Sequence, residues 1–225
     1  MASYLGEEGQ EIVSAAVREA EMHTSGEIVT VLADRSDGYS DLVLAWCALV
    51  AFTAMSVFAI WPDLFLARLD WLMGGWGSEW TTGEIITVVI AFGILKFGGV
   101  WLFLQWDRLR FLLIPGPVKT ARVRERAVKH FKVGAERRTH GRTGVLIYLS
   151  MREHRADIVA DISIAEKVDA EVWGEAMADM LVEIKQGRIA EGLAAGVRDV
   201  GAVLSQHFPK AEDDENELPD RLIEV

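Results

Sequence analysis

The sequence predicts an α/β layer protein, one domain split in sequence by an inserted two-helix membrane hairpin. Three observations predict it. Residues 42–62 carry no charged side chain between Asp41 and Asp63. As a helix rising ~1.5 Å per residue they would cover about 30 Å, the thickness of a bilayer's hydrocarbon core. Residues 27–33 form a β-rich run, and residues 144–150 a second one whose near-continuous apolar centre is the pattern of a strand in a sheet covered on both faces. Finally, the segments follow one another as helix, strand, interruption, helix, strand pair, helix, helix, which is a layered α/β order.

Residues 7–24 read as an amphipathic helix, with Ile12, Val13, Ala16, Val17 and Ala20 recurring at intervals of three and four. Gly26 is a plausible stop, and the strand at 27–33 leads into an acidic loop at 34–41. Between the two apolar runs, Leu64, Phe65, Leu69, Trp71 and Leu72 suit a short interfacial helix ended by Gly74, Gly75 and Gly77. Pro115 and Pro117 mark a turn. A strongly basic helix is expected at 118–139, with Val123, Ala127, Val128, Phe131 and Ala135 as its apolar face. After the strand at 144–150, a polar turn and a third strand at 157–164 suggest a hairpin. Trp173, Met177, Met180, Leu181 and Ile184 mark a further helix, N-capped by Asp169 and stopped near Gly187. A last helix at 188–207 precedes a tail from Pro209, seven of whose seventeen residues are acidic, which is expected to be disordered.

The second apolar run, 85–106, holds one charge, Lys96, and tryptophans cluster near the run ends. Indole rings favour membrane interfaces, being apolar in body and polar at the N–H. The net charge of −11 is unevenly spread. Residues 107–142 hold eleven bases and three acids, whereas the link at 63–84 has only Arg68 as a base. Basic residues near membrane segments stay inside, so the link is expected outside and both termini in the cytoplasm, as a multi-pass protein of the inner membrane. The domain boundaries expected are 1–41 and 107–208 as two parts of one domain, 42–106 as hairpin and link, and 209–225 as tail. No cleaved signal is read at the start, and the first apolar run would itself direct membrane insertion. Cys47 is the sole cysteine, which excludes an intrachain disulfide.

The order of elements, with certain words in it, resembles the TPM domain family. The matching pieces are Thr24-Ser-Gly-Glu-Ile-Val-Thr-Val, the stretch Glu136-Arg-Arg-Thr-His-Gly-Arg-Thr-Gly-Val-Leu-Ile, and Arg155-Ala-Asp-Ile-Val-Ala-Asp. The Trp173 helix and the glycine-spaced last helix complete the pattern. The resemblance is greatest to a bacterial membrane branch with a hairpin inserted in the domain. It implies an α/β/α sandwich with a small mixed sheet between helices, a membrane tether, and work in assembly or repair of membrane protein complexes. Phosphatase activity and divalent-metal binding are also implied for some members. Ser163 stands where the family usually has a glycine, a departure at the carried-over site.

Candidate chemistry is sparse. Asp34, Asp37 and Asp41 follow the first strand, and Asp161, Glu166 and Asp169 follow the third. If those strand ends met at one edge, Asp34, Asp37 and Asp161 would offer hard oxygen ligands suited to Ca²⁺ or Mg²⁺. Solvated turn residues and an N-cap are the simpler reading. Arg137, Arg138, His140 and Arg142 form a cationic loop able to hold a phosphate ester, with His140 as a proton donor. Contact with lipid headgroups explains the same charges without catalysis. Lys96, near the middle of its run, has no carboxylate in either run to pair with, and is expected to mark a face for a membrane-protein partner or a second copy. Gly93, Gly98 and Gly99 beside it would allow close approach. No zinc, serine-hydrolase or nucleotide-binding motif occurs, and an acidic chain whose bases lie beside the membrane is a poor nucleic-acid binder. A binding or assembly module in contact with membrane lipid is the first reading, a metal-assisted phosphatase the second.

Overall fold

The structure, a computed structural model, describes residues 4–73, 79–134, 143–211 and 218–225. The elements run α1 (Glu7–Glu21), β1 (Glu27–Ala33), α2 (Ser40–Ile60), α3 (Pro62–Met73), α4 (Thr82–Phe103), α5 (Asp107–Leu113) and α6 (Gly116–Gly134). They continue as β2 (Gly144–Ser150), β3 (Arg155–Ala160), α7 (Ile162–Ala165), α8 (Ala170–Lys185), α9 (Ile189–His207) and β4 (Ile223–Glu224). Two compact units result: residues 1–37 with 116–225, and residues 38–115.

The first unit is a mixed α/β sandwich built on a four-stranded sheet of order β3-β2-β1-β4. β1 and β2 are parallel, from Glu27 opposite Gly144 to Ala33 opposite Ser150, and β3 runs antiparallel to β2. Every residue of β1 and β2 is buried, which explains the predominance of apolar residues in both, with Glu27, Thr30 and Ser150 the buried polar exceptions. The pleat sends alternate side chains to opposite faces. Val29, Val31, Leu146 and Tyr148 meet Val123, Ala127 and Phe131 of α6 on one side. Ile28, Leu32, Val145, Ile147 and Leu149 meet α1, α8 and α9 on the other, through Val13, Val17, Met180, Leu193 and Val197.

The connection from β1 to its parallel neighbour β2 is thus a strand–helix–strand crossover with α6 as its helix. Parallel neighbours need such a crossover, since a tight turn cannot reverse direction twice. Residues 38–115 are inserted in it, immediately after β1.

Two expectations are corrected here. The third strand was expected to reach Ile164, but it ends at Ala160. Asp161 accepts the Ile162 N–H (2.7 Å) and caps the one-turn helix α7. A short carboxylate that bonds nearby backbone donors competes with ladder pairing, and that ends the strand. The tail was expected to be disordered from Pro209 on. Instead Leu218 and Leu222 are 5% and 7% exposed, and β4 pairs in parallel with β1. The Val225 N–H donates to the Leu32 carbonyl (3.0 Å), and the Asp34 N–H donates to the Val225 carbonyl (2.9 Å). Leu218, Leu222 and Ile223, three apolar residues in an acidic segment, are enough to cover the far half of an otherwise open sheet edge.

In the second unit α2 and α4 pack antiparallel. Val43 and Cys47 meet Val100 and Leu104, Met55 lies against Gly93, and the rings of Phe58 and Phe92 are 5.9 Å apart. A Cβ on Gly93 would stand 2.5 Å from the Met55 sulfur, so this glycine serves packing within the hairpin. Thr81 and Glu84 form a reciprocal capping box that starts α4. Pro62 opens α3 at a position where its missing N–H costs nothing. Both α2 and α4 are long and apolar enough to cross a membrane.

Candidate functional site

The C-terminal ends of β1 and β2 carry a polar constellation. In open α/β sheets this is the edge at which ligands are usually held. Behind it lies Tyr148, fully buried on β2, whose hydroxyl is 3.2 Å from Ser36 Oγ. Burial pushes the Tyr148 phenol above its ordinary range, with Ser36 and the Arg126 guanidinium opposing. Glu153, 1% exposed in the turn after β2, accepts the Ser36 N–H (2.9 Å) and a hydrogen bond from the Ser150 hydroxyl. A carboxylate can be buried here because backbone and hydroxyl donors replace its water. It ties the loop after β1 to the loop after β2.

A polar cleft of about 110 Å³ lies in front, between that loop and α6, lined by Ser36, Asp37, Arg122, Glu125, Arg126 and Lys129. Residues 122, 125, 126 and 129 share one face of α6 through their three- and four-residue spacing. Arg122 Nε is 3.1 Å from Asp37, and Lys129 Nζ is 2.7 Å from Glu125. The Lys129 bond is the main cause holding the Glu125 carboxyl below its ordinary range. His130, one residue on, has its ring tilted against that of Tyr148 with centres 5.7 Å apart, and among the described residues its buried Nε2 has no hydrogen-bond partner. Burial, then the charge of Arg126, keeps its pKa below the usual histidine value, which favours the neutral ring.

Asp34, Asp37 and Asp161 are not brought together. β3 is antiparallel to β2, so its last residue, Ala160, lies opposite Val145 near the start of β2. The Asp161 N–H donates to the Gly144 carbonyl (2.9 Å), at the edge opposite Asp34. The premise that these strand ends share an edge is therefore corrected by strand direction. Asp34 is held by Arg152 Nε at 3.0 Å from each oxygen, and by the Tyr4 hydroxyl. Those bonds, Tyr4 foremost, keep its carboxyl below the ordinary range. Among the described residues no group of three or more His, Cys, Asp or Glu is placed to hold a metal ion. Asp34, Asp37 and Asp161 thus do not offer the several oxygens converging on one point that Ca²⁺ or Mg²⁺ demands.

Arg137, Arg138, His140 and Arg142 lie outside the described residues. Lys96 is exposed, with its Nζ 5.0 Å from the centre of the Phe92 ring. A Cβ on Gly98 or Gly99 would meet nothing within 4 Å, so these two, unlike Gly93, are open to a neighbour. Sequence reasoning missed Ser36, Tyr148 and Glu153, because a serine, a tyrosine and a turn glutamate carry no pattern. It read Arg122, Arg126 and Lys129 only as part of a basic helix, although their spacing marks one charged face.

Residues 115–203, from the start of α6 to within α9, match the model of the TPM domain. The chain is similar in structure to the BA42 protein of the psychrophilic bacterium Bizionia argentinensis, solved by NMR. The TM-score is 0.57 at 19% identity, covering 100% of this chain and 98% of that one. No curated protein matches the sequence.

Proposed function

We propose that this chain is a membrane-anchored TPM domain that binds a partner membrane protein, or a second copy, and takes an acidic group of it into the cleft on α6. The observation that carries this reading is the cleft itself. It holds three cations, Arg122, Arg126 and Lys129, around a small space, beside two carboxylates already paired to them. A charged surface of this kind gives orientation and specificity to an encounter. Turnover would need more. The Ser36 hydroxyl is engaged by Tyr148 rather than by a base, and the described carboxylates do not converge on a metal site. A phosphatase is the second reading, supported by the same three cations, which suit a phosphate ester as well as a carboxylate.

The membrane side of the reading rests on α2 and α4 together with the sheet. β1 precedes the inserted unit and its neighbour β2 follows it, so both ends of the insertion return to one domain. Two crossings meet that requirement, and the basic stretch at 107–142 favours the cytoplasm of a bacterial inner membrane for both termini.

Detergent-solubilised protein should release no phosphate from a generic phosphate ester, with or without Mg²⁺. A cross-linker placed at Arg126→Cys in native membranes should capture a discrete species that Lys129→Glu weakens. Metal-dependent release of phosphate that Arg126→Ala abolishes would replace the binding reading by the second one.

A further inference from the structure

We propose that the groove between α3 and α4 is a binding site for one glycerophospholipid, an acyl chain in the groove and its phosphodiester on Arg68. This rests on the reading that the second unit is embedded in a membrane.

The two helices present facing apolar stripes. Phe65, Leu69 and Leu72 recur every three or four residues on α3, as do Val88, Phe92 and Leu95 on α4. Between the stripes lies a space of about 430 Å³. One end is closed by three rings: Phe58 and Phe65 stack at 4.9 Å, and Phe92 stands 5.6 and 5.9 Å from them. The other residues leave the sides open, with Leu72 and Leu95 74% and 69% exposed. That volume falls in the ~300–1,000 Å³ range of small-molecule sites, which are mostly apolar with a few polar groups that fix orientation.

Among the described residues, Arg68 is the one charged residue lining the groove. It donates to the Leu64 carbonyl (3.0 Å) and has no carboxylate partner among the described residues. It is also the sole base in residues 63–84, where Asp63, Asp70, Glu79 and Glu84 supply the other charges. A guanidinium is shaped for two-pronged bonding to a phosphate, and its stem can lie along apolar surface while the head reaches the interface. A cation beside a hydrocarbon slot calls for an amphiphile with an anionic head.

A helix from a second copy fits less well. With side chains an α-helix is ~10–12 Å across, so about 430 Å³ would hold only about one turn of it. A flexible chain is far thinner and can fill the slot along its length.

The test uses the full chain, purified in mild detergent and incubated with phosphatidylglycerol or with diacylglycerol of the same acyl chains. Native mass spectrometry then counts retained lipid, and size-exclusion light scattering reads the oligomer. The wild type should keep one phosphatidylglycerol per chain and at least tenfold less diacylglycerol. Arg68→Gln should lose that preference, and Ala91→Trp, which fills the slot from an exposed position, should retain neither lipid. Circular dichroism confirms that both variants fold. Equal retention by wild type and Ala91→Trp would overturn the site, and loss in Ala91→Trp alone would overturn the headgroup contact. A wild-type dimer without lipid, dissociated by Ala91→Trp, would assign the groove to a second copy instead. Carbonate extraction of native membranes reads the parent assumption separately: protein released into the soluble fraction ends both readings, whereas retained protein without bound lipid ends only this one.

Discussion

Glu21 shows how one side chain can stand in for a strand. It lies at the C-terminal end of α1, 7% exposed, and its Oε1 accepts the Ile28 N–H at 2.8 Å. In the parallel sheet the N–H groups of Ile28, Thr30, Leu32 and Asp34 point to the same edge of β1. β4 serves only the far half of that edge, so the carboxyl of Glu21 satisfies the donor at the near end. Burial, the largest cause, raises its pKa to about 8, and the nearby carboxylates of Glu27 and Asp220 add to this. Lys210 reaches the Glu21 carbonyl (2.9 Å). Because the folded pKa is raised, the carboxyl's contribution to stability is complete below its ordinary value of 4.5 and is lost as pH rises through about 8. The melting temperature should therefore fall across that window, and Glu21→Gln should flatten the fall, leaving the variant the more stable of the two above pH 8. A parallel decline in both proteins, read by thermal denaturation from pH 4 to 9, would assign the effect to other groups.

Among the helices, α9 is set by close approach. A Cβ on Gly192 would stand 2.6 Å from Ile184 Cγ1 and 2.8 Å from the Met180 carbonyl oxygen, which is backbone of α8. On Gly201 it would stand 2.6 Å from the Ala20 Cβ of α1. These glycines let α9 lie against both neighbours while its other side buries Leu193, Val197 and Leu204. Replacing glycine by alanine inside a helix normally gains ~1 kcal/mol, but forcing a methyl into a filled contact costs ~1–3 kcal/mol. Gly192→Ala should thus destabilise the first unit on balance, since backbone cannot swing aside. Gly174→Ala, exposed within α8 with nothing within 4 Å of the added carbon, should stabilise it by ~0.5–1 kcal/mol. Urea denaturation of the two variants gives opposite signs if packing decides, and the same sign if propensity alone does. Gly187 has a different role, ending α8 at φ +82°, where a side chain would be strained.

At the scale of the whole molecule, an insertion sits inside a crossover that the sheet needs. α6 alone completes the passage from β1 to β2, and the α6 face packed on the sheet is supplied within the first unit. Replacing residues 38–115 by a flexible linker of about 10–15 Gly and Ser residues should therefore leave the first unit folded and free of detergent, because linker length costs closure entropy only slowly. Circular dichroism and a single cooperative melt would support this. A collapsed, non-cooperative product would mean that the sandwich needs the inserted unit to form.

How much of this was legible from residues alone differs by element. Local pattern determined β1 and β2, whose bounds match the apolar runs at 27–33 and 144–150, and it marked α2 and α4 through length and apolarity. It also carried the amphipathic stripes of α1, α6 and α9, since each is a periodicity within one segment. Tertiary structure alone decided three things. The direction of β3 sent Asp161 away from Asp34, a consequence of pairing that no single strand encodes. The edge of β1 recruited Leu218, Leu222 and Ile223, residues too few to outweigh an acidic composition until a partner strand is present. Behind the cleft on α6, Ser36 is joined to Tyr148 and to Glu153, 112 and 117 residues away in the sequence. Contacts at that separation depend on how the layers stack, and stacking is a property of the assembled sandwich rather than of any stretch of its sequence.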